Sequence, residues 1–451
     1  MGGAGKGSLI KKQMILMGGD AVVALGILIL WIMGADGIAP GFFSGLWMAG
    51  FVPVLVFTSY LCEVYNVRPW VFKTVARRAA LSGGISLVVL VLLNKAASIP
   101  FPMMTGVLFF FAAQILWQSL YEAASQSPFF SKNILVIGTG PAAQEVLRLI
   151  EASPGKYVLS GYVATATDPV SVEENKIVGK MEDIVSLCRQ YQAHAVVMAL
   201  TERRGGLAIH KLVSCKLMGV RIIDYPNFYE SMTGKIPVES INPSWLVQSN
   251  GFLITPFIRA MKRTLDIVLS SLLLLVTLPF FPALVVLVKY KSPGPVFYFQ
   301  KRVGKNGKEF TIYKFRTMGI DAESGGGVAW ARENDPRVTR FGQFFRKVRI
   351  DELPQLVNVL KGEMSFIGPR PERPEFVKQI CGITPYYMER HAVKPGITGW
   401  AQVMYPYGAS LGDSVEKLRY DLYYINNLSI FLEFLIVFET IKVILFRRGS
   451  R

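Results

Sequence analysis

Four apolar segments early in the chain limit its possible folds more than any other feature. Each has close to the ~20 residues that a helix needs to cross the hydrocarbon core of a membrane. Four such segments in series favour membrane helices over the buried helices of a soluble protein. We therefore predict a four-helix transmembrane N-terminal bundle over residues 1–125. The segments are Met14–Met33, Leu46–Tyr65, Leu81–Ala97 and Met103–Tyr121.

Basic residues cluster before the first segment and between the second and third, whereas the other two connections carry one charged residue each. Connections that are rich in lysine and arginine stay in the cytoplasm, so both ends of the bundle are expected there. No clear small-residue cleavage site follows the first segment, and we expect it to be retained. The clustered residues are Lys6, Lys11 and Lys12, then Arg68, Lys73, Arg77 and Arg78.

A fifth apolar stretch, Leu265–Val288, is long enough to span but has basic residues on both sides. Both of its ends are therefore expected in the cytoplasm. Pro279 and Pro282 lie inside it, and a proline there removes a helix hydrogen bond and favours a kink. We predict a re-entrant helix–break–helix over residues 262–290. For the C-terminal stretch Ser429–Phe446, an interfacial helix and a buried core helix are the alternatives.

The middle of the chain begins with a strand, a glycine turn and a helix, in the segment 133–143. Gly138, Gly140 and Ala143 occupy the positions of a dinucleotide-binding turn, which predicts a Rossmann-like α/β domain over residues 126–250. No acid directly follows the next predicted strand, and Asp168 comes a few residues later. Nucleotide binding and a role in assembly or regulation both stay open.

A membrane-anchored, NAD-dependent sugar-nucleotide dehydratase or epimerase is an alternative interpretation of this layout. Such enzymes use a Tyr-x-x-x-Lys pair, in which the lysine lowers the pKa of the tyrosine. None of the 18 tyrosines has a lysine four positions later. This absence counts against dehydratase chemistry.

The region after the fifth apolar stretch predicts a β-hairpin. Asn306-Gly307 is a strong turn signal between a strand near 296–300 and a return strand over Glu309–Phe315. Lys314 and Arg316 alternate with aromatic residues, so they are expected on one face. Two cations on one face could hold a diphosphate, or could form a solvated basic surface beside the membrane.

Two adjacent carboxylates, Asp351 and Glu352, precede a helical stripe of apolar residues. The spacing predicts that they open this helix, where acidic residues are favoured as caps. They could also do chemistry, with one attacking while the other orients or binds metal. Arg370 lies between Pro369 and Pro371, which stiffen its backbone, and its planar fork suits phosphate. The stripe consists of Leu353, Leu356, Val357 and Leu360.

Seven segments resemble the bacterial sugar transferases called monotopic phosphoglycosyl transferases, in that family's order. The likeness runs from Arg259 to the C-terminus and lies within the predicted catalytic domain, an α+β monotopic domain over residues 251–451. With the preceding regions it extends to the large subgroup, the exopolysaccharide-priming undecaprenyl-phosphate sugar phosphotransferases. The segments are Lys262-Arg-x-x-Asp266, Ser292-Pro-Gly-Pro-Val, Arg302-Val-Gly-x-x-Gly-Lys308, Lys314-Phe-Arg-x-Met318, Asp351-Glu-Leu-Pro-Gln-Leu, Gly368-Pro-Arg-Pro-Glu and Lys394-Pro-Gly-Ile-Thr-Gly-Trp.

The resemblance implies transfer of a sugar 1-phosphate from a nucleoside-diphosphate sugar to undecaprenyl phosphate, with UMP as the other product. Asp351 would be the nucleophile and a Mg²⁺ ligand, and Glu352 its partner acid. An inactive scaffold for polysaccharide assembly is a further alternative. The implied substrate-binding residues are Lys314, Arg316, Pro369 and Arg370, together with Lys262, Arg263 and Asp266, which would also fix the base of the re-entrant helix.

The formal net charge of +17 is compatible with anionic lipid headgroups, nucleotide phosphates or nucleic acid as partners. The partners that the resemblance implies are a UDP-sugar, undecaprenyl phosphate and the phospholipid membrane. We expect no nucleic acid and, as in the large subgroup, a homodimer. The expected location is the bacterial inner membrane, with the catalytic domain on the cytoplasmic face.

Overall fold

The protein forms two compact units, Met1–Gly234 and Lys235–Arg451. Each unit is described separately below. The computed structural model describes residues 6–33, 46–66, 71–94, 101–126, 131–153, 156–166, 168–200, 208–249, 251–291, 294–319, 337–405, 408 and 410–445.

The first unit begins with four helices. Three of them are long and apolar enough to cross a membrane, and the second is a shorter apolar helix. Their most exposed side chains are apolar, which suits contact with lipid rather than water. The chain is therefore a membrane protein. The helices are α1 (Lys6–Met33), α2 (Leu46–Leu61), α3 (Phe72–Asn94) and α4 (Phe101–Gln126).

Helix α3 begins at Phe72, earlier than the segment predicted from Leu81 onward. Its first turns contain basic residues, which a hydropathy pattern excludes from the apolar segment. The guanidinium group of Arg78 donates hydrogen bonds to the carbonyl oxygens of Glu63 (2.7 Å) and Asn66 (3.3 Å). A basic residue can therefore lie within this helix because the connection before it accepts its hydrogen bonds.

A five-stranded parallel sheet follows, in the order β3-β2-β1-β4-β5. The central strand β1 has a continuous apolar run, Ile134–Ile137, that is fully buried, as expected when helices cover both faces. The elements are β1 (Lys132–Ile137), α5 (Pro141–Glu151), β2 (Tyr157–Ala164), β3 (Ile177–Lys180), α6 (Ile184–Gln190), β4 (Ala195–Met198), α7 (Ile209–Leu217), β5 (Arg221–Asp224) and α8 (Tyr225–Thr233).

The second unit combines helices with two small sheets. An antiparallel hairpin forms one sheet and a short parallel pair of strands forms the other. Its elements are α9 (Pro243–Gln248), α10 (Pro256–Thr277), α11 (Phe281–Lys291), β6 (Phe297–Val303), β7 (Glu309–Phe315), α12 (Arg340–Lys347), α13 (Gln355–Lys361), β8 (Ser365–Ile367), α14 (Pro374–Cys381), β9 (Gly396–Thr398), α15 (Trp400–Met404), α16 (Leu411–Asn426) and α17 (Ile430–Leu445).

The second unit begins at Lys235, before the boundary predicted between residues 250 and 251. Ile236 and Trp245 are buried in one apolar cluster with Phe376 and Leu418, which lie much later in the chain. The segment after Gly234 therefore packs with the C-terminal unit, a long-range contact that composition alone does not reveal.

The fifth apolar stretch is a broken helix. A 3₁₀ turn, Leu278–Phe280, separates α10 from α11, so the break lies at Pro279. The Thr277 hydroxyl donates to the carbonyl oxygen of Leu273 (2.7 Å), which satisfies a polar group beside the break. Pro282 falls in the first turn of α11, where its missing N–H group costs nothing.

The predicted hairpin is confirmed. Strands β6 and β7 pair in antiparallel register, with Phe297 opposite Phe315 and Val303 opposite Glu309. Asn306 (φ 56°) and Gly307 (φ 74°) both have positive φ in the turn, as a tight hairpin with native strand twist requires.

Helix α17 is partly a core helix, and the interfacial alternative for the C-terminal stretch stays a prediction. One face is in the core of the second unit, where Leu432, Leu435 and Ile436 are buried. On the other face Phe431 and Phe434 are exposed. The apolar residues outnumber those that the core can cover, and the remainder are available to a membrane surface.

Candidate active site

The carboxylate pair Asp351 and Glu352 lies in a 3₁₀ turn, Ile350–Glu352, that precedes α13. Leu353 and Pro354 also have right-handed helical angles, so the pair lies in the first helical turn before α13, as predicted, although that turn is 3₁₀ rather than α. Arg349 has left-handed backbone angles (φ 57°, ψ 22°), which turn the chain before it can continue as a helix. The pair is 7% and 5% exposed, so both carboxylates are buried.

Apolar packing fixes the turn that carries the pair. Ile350 and Leu353 flank the two acids and pack against a cluster that contains Val288, Phe315 and Phe345. These three residues come from α11, β7 and α12. The second half of the broken helix is thus joined to the carboxylate pair through shared apolar contacts.

Three cations fasten the Glu352 carboxylate. Arg370 donates to its Oε1 at 2.8 Å, Arg349 contacts its Oε2 at 3.3 Å, and Lys314 lies 3.4 Å from Oε1. Burial acts to raise the pKa of Glu352, but Arg370, Lys314 and Arg349 outweigh it and hold the pKa well below the usual range. Glu352 is therefore ionised at neutral pH and its orientation is fixed.

Asp351 has a different environment. None of the described residues donates a hydrogen bond to its carboxylate. Burial, and then the charge of Glu352, raise its pKa to about 6, against the opposing effects of Lys314, Arg346 and Arg370. At neutral pH Asp351 is mainly an ionised carboxylate with its lone pairs available.

Arg370 lies in a loop after strand β8, with Pro369 buried beside it. Its side chain is 39% exposed, so the guanidinium group contacts Glu352 while part of it stays accessible. The charge of Glu352 raises the pKa of Arg370 above its usual range. This is the fixed, partly open cation that phosphate binding requires.

Lys314 and Arg316 have different surroundings. Lys314 contacts Glu352, and burial lowers its pKa despite the opposing effect of that carboxylate. Arg316 follows strand β7, and its Nη1 atom is buried without a hydrogen-bond partner in the described part of the chain. That unsatisfied donor is available for an anion. The expectation that both cations hold phosphate stays a prediction.

Three residues of α10 make internal contacts at the base of the broken helix. Lys262 donates to the carbonyl oxygen of Ile367 and contacts Glu433, both at 2.8 Å. Arg263 donates to the last carbonyl oxygens of α13 at 2.7 and 2.8 Å. Asp266 accepts hydrogen bonds from Ser365 and from the Phe366 N–H group, each at 2.8 Å. These contacts fix the helix, and direct substrate binding by the three stays a prediction.

Comparison with known proteins identifies the family. The model for bacterial sugar transferases matches residues 257–447. The exopolysaccharide production protein PSS of Rhizobium leguminosarum bv. phaseoli is 42% identical over 189 residues, which are 40% of this chain and 93% of that relative. The chain belongs to the bacterial sugar transferase family.

Longer relatives match a larger share of this sugar transferase. The UDP-N-acetylgalactosamine-undecaprenyl-phosphate N-acetylgalactosaminephosphotransferase of Aeromonas hydrophila is 43% identical over 53% of this chain and 56% of its own. The UDP-glucose:undecaprenyl-phosphate glucose-1-phosphate transferase of Escherichia coli K12 is 36% identical over 59% of this chain and 58% of its own. The chain thus spans about half the length of these relatives.

One structural residue of the sugar transferase site was not predicted. Asn358 is fully buried on α13, donates to the Thr311 carbonyl oxygen (2.8 Å) and accepts from the Tyr313 N–H group (3.2 Å). It thereby joins α13 to β7. Val357, predicted in the buried stripe, is instead exposed. The only sequence feature that could have indicated Asn358 is a polar residue at a buried position of a helix. A pattern of apolar residues does not detect such a residue.

The glycine turn of the first unit lies outside the matched residues, and Asp168 occupies it. The Asp168 carboxylate accepts hydrogen bonds from the N–H groups of Thr139 (2.8 Å) and Gly140 (3.0 Å), at the start of α5. In dinucleotide-binding folds such N–H groups bind the pyrophosphate. A nucleotide at Gly138 and Gly140 would have to displace this carboxylate.

We expect Asp168→Ala to loosen the glycine turn. Hydrogen bonds to a charged acceptor contribute about 1.5–3 kcal/mol, so the Thr139 and Gly140 amides should exchange with solvent roughly tenfold faster or more. Hydrogen exchange of the peptide covering residues 133–150 in the full-length protein measures this. Asp183→Ala, which removes an exposed acid that makes no capping hydrogen bond, should leave exchange unchanged. Equal exchange in wild type and Asp168→Ala would contradict the assignment.

Proposed function

We propose that the protein transfers a sugar 1-phosphate from a UDP-sugar to undecaprenyl phosphate, giving undecaprenyl-diphosphate-sugar and UMP. Family membership supports this proposal, since relatives from Aeromonas hydrophila and Escherichia coli are named for such transfers. The reaction would be the priming step of exopolysaccharide or related glycan synthesis.

The observation that carries the proposal is the asymmetry of the carboxylate pair. Glu352 is bound by three cations, whereas Asp351 accepts no hydrogen bond from the described residues. A carboxylate that is buried, ionised and unbonded is a good nucleophile, because no donor has to be displaced before it attacks. The cations around its neighbour provide positive charge where a diphosphate would lie.

The chemistry has two balanced steps. An oxygen of Asp351 attacks the phosphorus that carries the sugar, and the bond from that phosphorus to the bridging oxygen breaks, so UMP leaves with the electron pair. An oxygen of undecaprenyl phosphate then attacks the same phosphorus, and Asp351 leaves as a carboxylate. Covalent catalysis separates the soluble donor from the lipid acceptor in time, so the two need not be bound together.

Fixed charges would stabilise both steps. Arg370 and Lys314 both contact Glu352, beside the nucleophile, and would there stabilise the negative charge that the phosphoryl oxygens gain. Glu352 itself stays ionised, and we assign it the orientation of these cations rather than proton transfer.

The site fits Mg²⁺. No three His, Cys, Asp or Glu side chains cluster as metal ligands within the described ranges, but Mg²⁺ commonly uses one or two carboxylates together with substrate phosphates. The unbonded Asp351 supplies such a carboxylate. When bound, Mg²⁺ would neutralise part of the charge on the diphosphate.

We further propose that α10 and α11 form a re-entrant membrane segment. Their exposed residues are strongly apolar, yet both halves are fastened to the second unit: α10 through Lys262 and Arg263, and α11 through Val288. A helix that crossed the membrane would separate these anchors by about 30 Å of hydrocarbon. A one-leaflet segment keeps the carboxylate pair near the headgroups.

Cysteine labelling tests the re-entrant segment. We expect Arg259→Cys and Tyr290→Cys, in a background without the four native cysteines, to react with a membrane-impermeant maleimide from the same side. Both residues are exposed near the ends of the segment. Glu375→Cys on the second unit serves as the reference for that side. Labelling of the two ends from opposite sides would refute a re-entrant path.

Activity should depend on pH through Asp351. Its raised pKa, about 6, means that the nucleophile is increasingly protonated as the pH falls below that value. The single-turnover rate of adduct formation, at fixed Mg²⁺, should therefore fall with unit slope at acid pH. Arg346 lowers the pKa of Asp351, so Arg346→Gln should move this limb to higher pH. A flat profile, or a limb unmoved by Arg346→Gln, would contradict the assignment.

The proposal also includes a role for the first unit and a location for the protein. Its strand order is that of a Rossmann-like domain, and Asp168 in the glycine turn favours an assembly or regulatory role over nucleotide binding. We propose a location in the bacterial inner membrane, with the second unit on the cytoplasmic face where UDP-sugars are available. A homodimer is part of the same proposal.

UMP release tests the function. The full chain in nanodiscs is incubated with single UDP-sugars, and we expect more than one equivalent of UMP per enzyme only when undecaprenyl phosphate and Mg²⁺ are both present. A dehydratase or epimerase would convert the sugar nucleotide without lipid, and an inactive scaffold would release nothing. Either result would replace the proposal.

A further inference from the structure

Cationic side chains donate hydrogen bonds to backbone carbonyl oxygens in and beside the loop that carries Arg370. Lys262 donates to the carbonyl oxygen of Ile367 at 2.8 Å, Arg390 to that of Arg370 at 2.9 Å, and Arg302 to that of Pro371 at 3.0 Å. Charged donors make stronger and shorter hydrogen bonds than neutral ones. Three cations from separate parts of the chain therefore fix consecutive points of one short loop.

Arg390 is the most enclosed of these cations. It is 4% exposed, and its guanidinium group contacts Asp421 at 2.8 Å through Nη2 and at 3.0 Å through Nε. Its Nη1 donates to the Tyr387 hydroxyl at 2.7 Å, and Nη2 also reaches the Arg370 carbonyl. Each of the three guanidinium nitrogens thus contacts a protein group, and four of the five N–H groups are used in these contacts.

Arg390 contacts the backbone of Arg370, the residue whose side chain we assign to phosphate binding. Prolines on both sides restrict the backbone of Arg370, and Arg390 fixes its carbonyl oxygen. The same residue donates from its side chain to Glu352 at 2.8 Å. With the backbone held, only side-chain torsions are left to move the guanidinium group.

A buried ion pair is weak evidence for stability, because removing two charges from water offsets most of their attraction. Apolar residues of similar size would pack as well between α16 and the loop. What they would lack is a donor aimed at the Arg370 carbonyl oxygen. The pair of Arg390 and Asp421 thus has a use that packing does not explain.

We infer that Arg390 and Asp421 are positioning residues that orient the phosphate-binding Arg370 through its backbone. This inference rests on the proposed function. Asp421 holds Arg390, Arg390 holds the Arg370 carbonyl, and the Arg370 side chain meets Glu352 beside the nucleophile. The chain of contacts joins α16 to the carboxylate pair.

The test is a double-mutant cycle on UMP release by the full chain in nanodiscs. Arg390→Lys keeps a charge beside Asp421 but loses the fork that also reaches Tyr387 and the Arg370 carbonyl. We expect it to lower kcat/KM roughly 10- to 100-fold in the wild-type background and less than about threefold in the Arg370→Ala background. A general structural defect would lower both by the same factor. Arg419→Lys, which changes an arginine of α16 paired with Glu416 and Glu239, should have little effect in either.

Tyr387→Phe provides a second variant should Arg390→Lys fail to accumulate. It removes one oxygen from the Arg390 site and no charge, and the same dependence on Arg370 is expected with a smaller loss. Equal losses with and without Arg370, or wild-type activity of the tested variant, would overturn the inference while leaving the proposed function intact. A wild-type protein that releases no UMP would instead refute the proposed function, and the inference with it.

Discussion

Asp351→Asn should abolish sugar-phosphate transfer, with a loss of roughly 10⁴-fold or more, as expected when a nucleophile is removed. The change keeps the shape of the side chain and removes the charge and the attacking oxygen. Glu352, Lys314 and Arg370 keep their contacts with one another, since none of them bonds to Asp351. The protein should therefore still fold and insert.

The measurement has two parts. UMP release should vanish, and a UDP-sugar labelled in the sugar should leave a trapped adduct on wild type without undecaprenyl phosphate and none on Asp351→Asn. Glu375→Gln makes the same acid-to-amide change at an exposed position and should behave as wild type. An active Asp351→Asn enzyme, or an unchanged adduct, would remove the covalent mechanism.

Arg370→Ala should lower kcat/KM about 10²- to 10³-fold, the cost of losing one fixed donor to a developing oxyanion. Its guanidinium group is the closest cation to Glu352 and is partly open to ligand. Arg370 also lowers the pKa of Asp351, so its removal should raise that pKa and move the acid limb of the rate to higher pH. Two readouts thus change together.

Arg370→Lys separates charge from geometry. It keeps the charge but not the planar fork, so it should recover only part of the activity and leave the acid limb near its wild-type position. Arg373→Ala changes an arginine of the same segment that pairs with the exposed Glu375 and should have little effect. Wild-type activity in Arg370→Ala would remove Arg370 from the site.

Local signals predicted the second unit well where chemistry acts over a few residues. Asn306-Gly307 predicted the hairpin because only a few residue types accept positive φ. Pro279 and Pro282 together predicted a break because proline has no N–H group to donate, and the structure places it at Pro279. The N-terminal apolar segments were also predicted, because the length and hydropathy of a segment are enough to indicate a membrane helix.

Periodicity predicted only part of the geometry around the carboxylate pair. A helical stripe predicted that Asp351 and Glu352 open α13, and they lie in the 3₁₀ turn directly before it, but the left-handed backbone of Arg349 that ends the connection from α12 was not predicted. Ile350 next to it packs against Val288 and Phe315, which are distant in sequence, and Arg349 contacts Glu352 three residues later. The hydrogen bonds of Asn358 and of Asp168 were not predicted, because their partners are backbone groups that lie far away in sequence.

The sequence by itself determined that this chain enters a membrane, breaks its fifth apolar helix at a proline and carries the motifs of a sugar transferase. Only the tertiary structure decided how the two acids differ. Three cations, from β7, from the residue before the turn and from the loop after β8, converge on Glu352, whereas Asp351 accepts no hydrogen bond from the part of the chain that the structure describes. Charge interactions depend on distance in space, so two neighbours in sequence can acquire opposite pKa shifts.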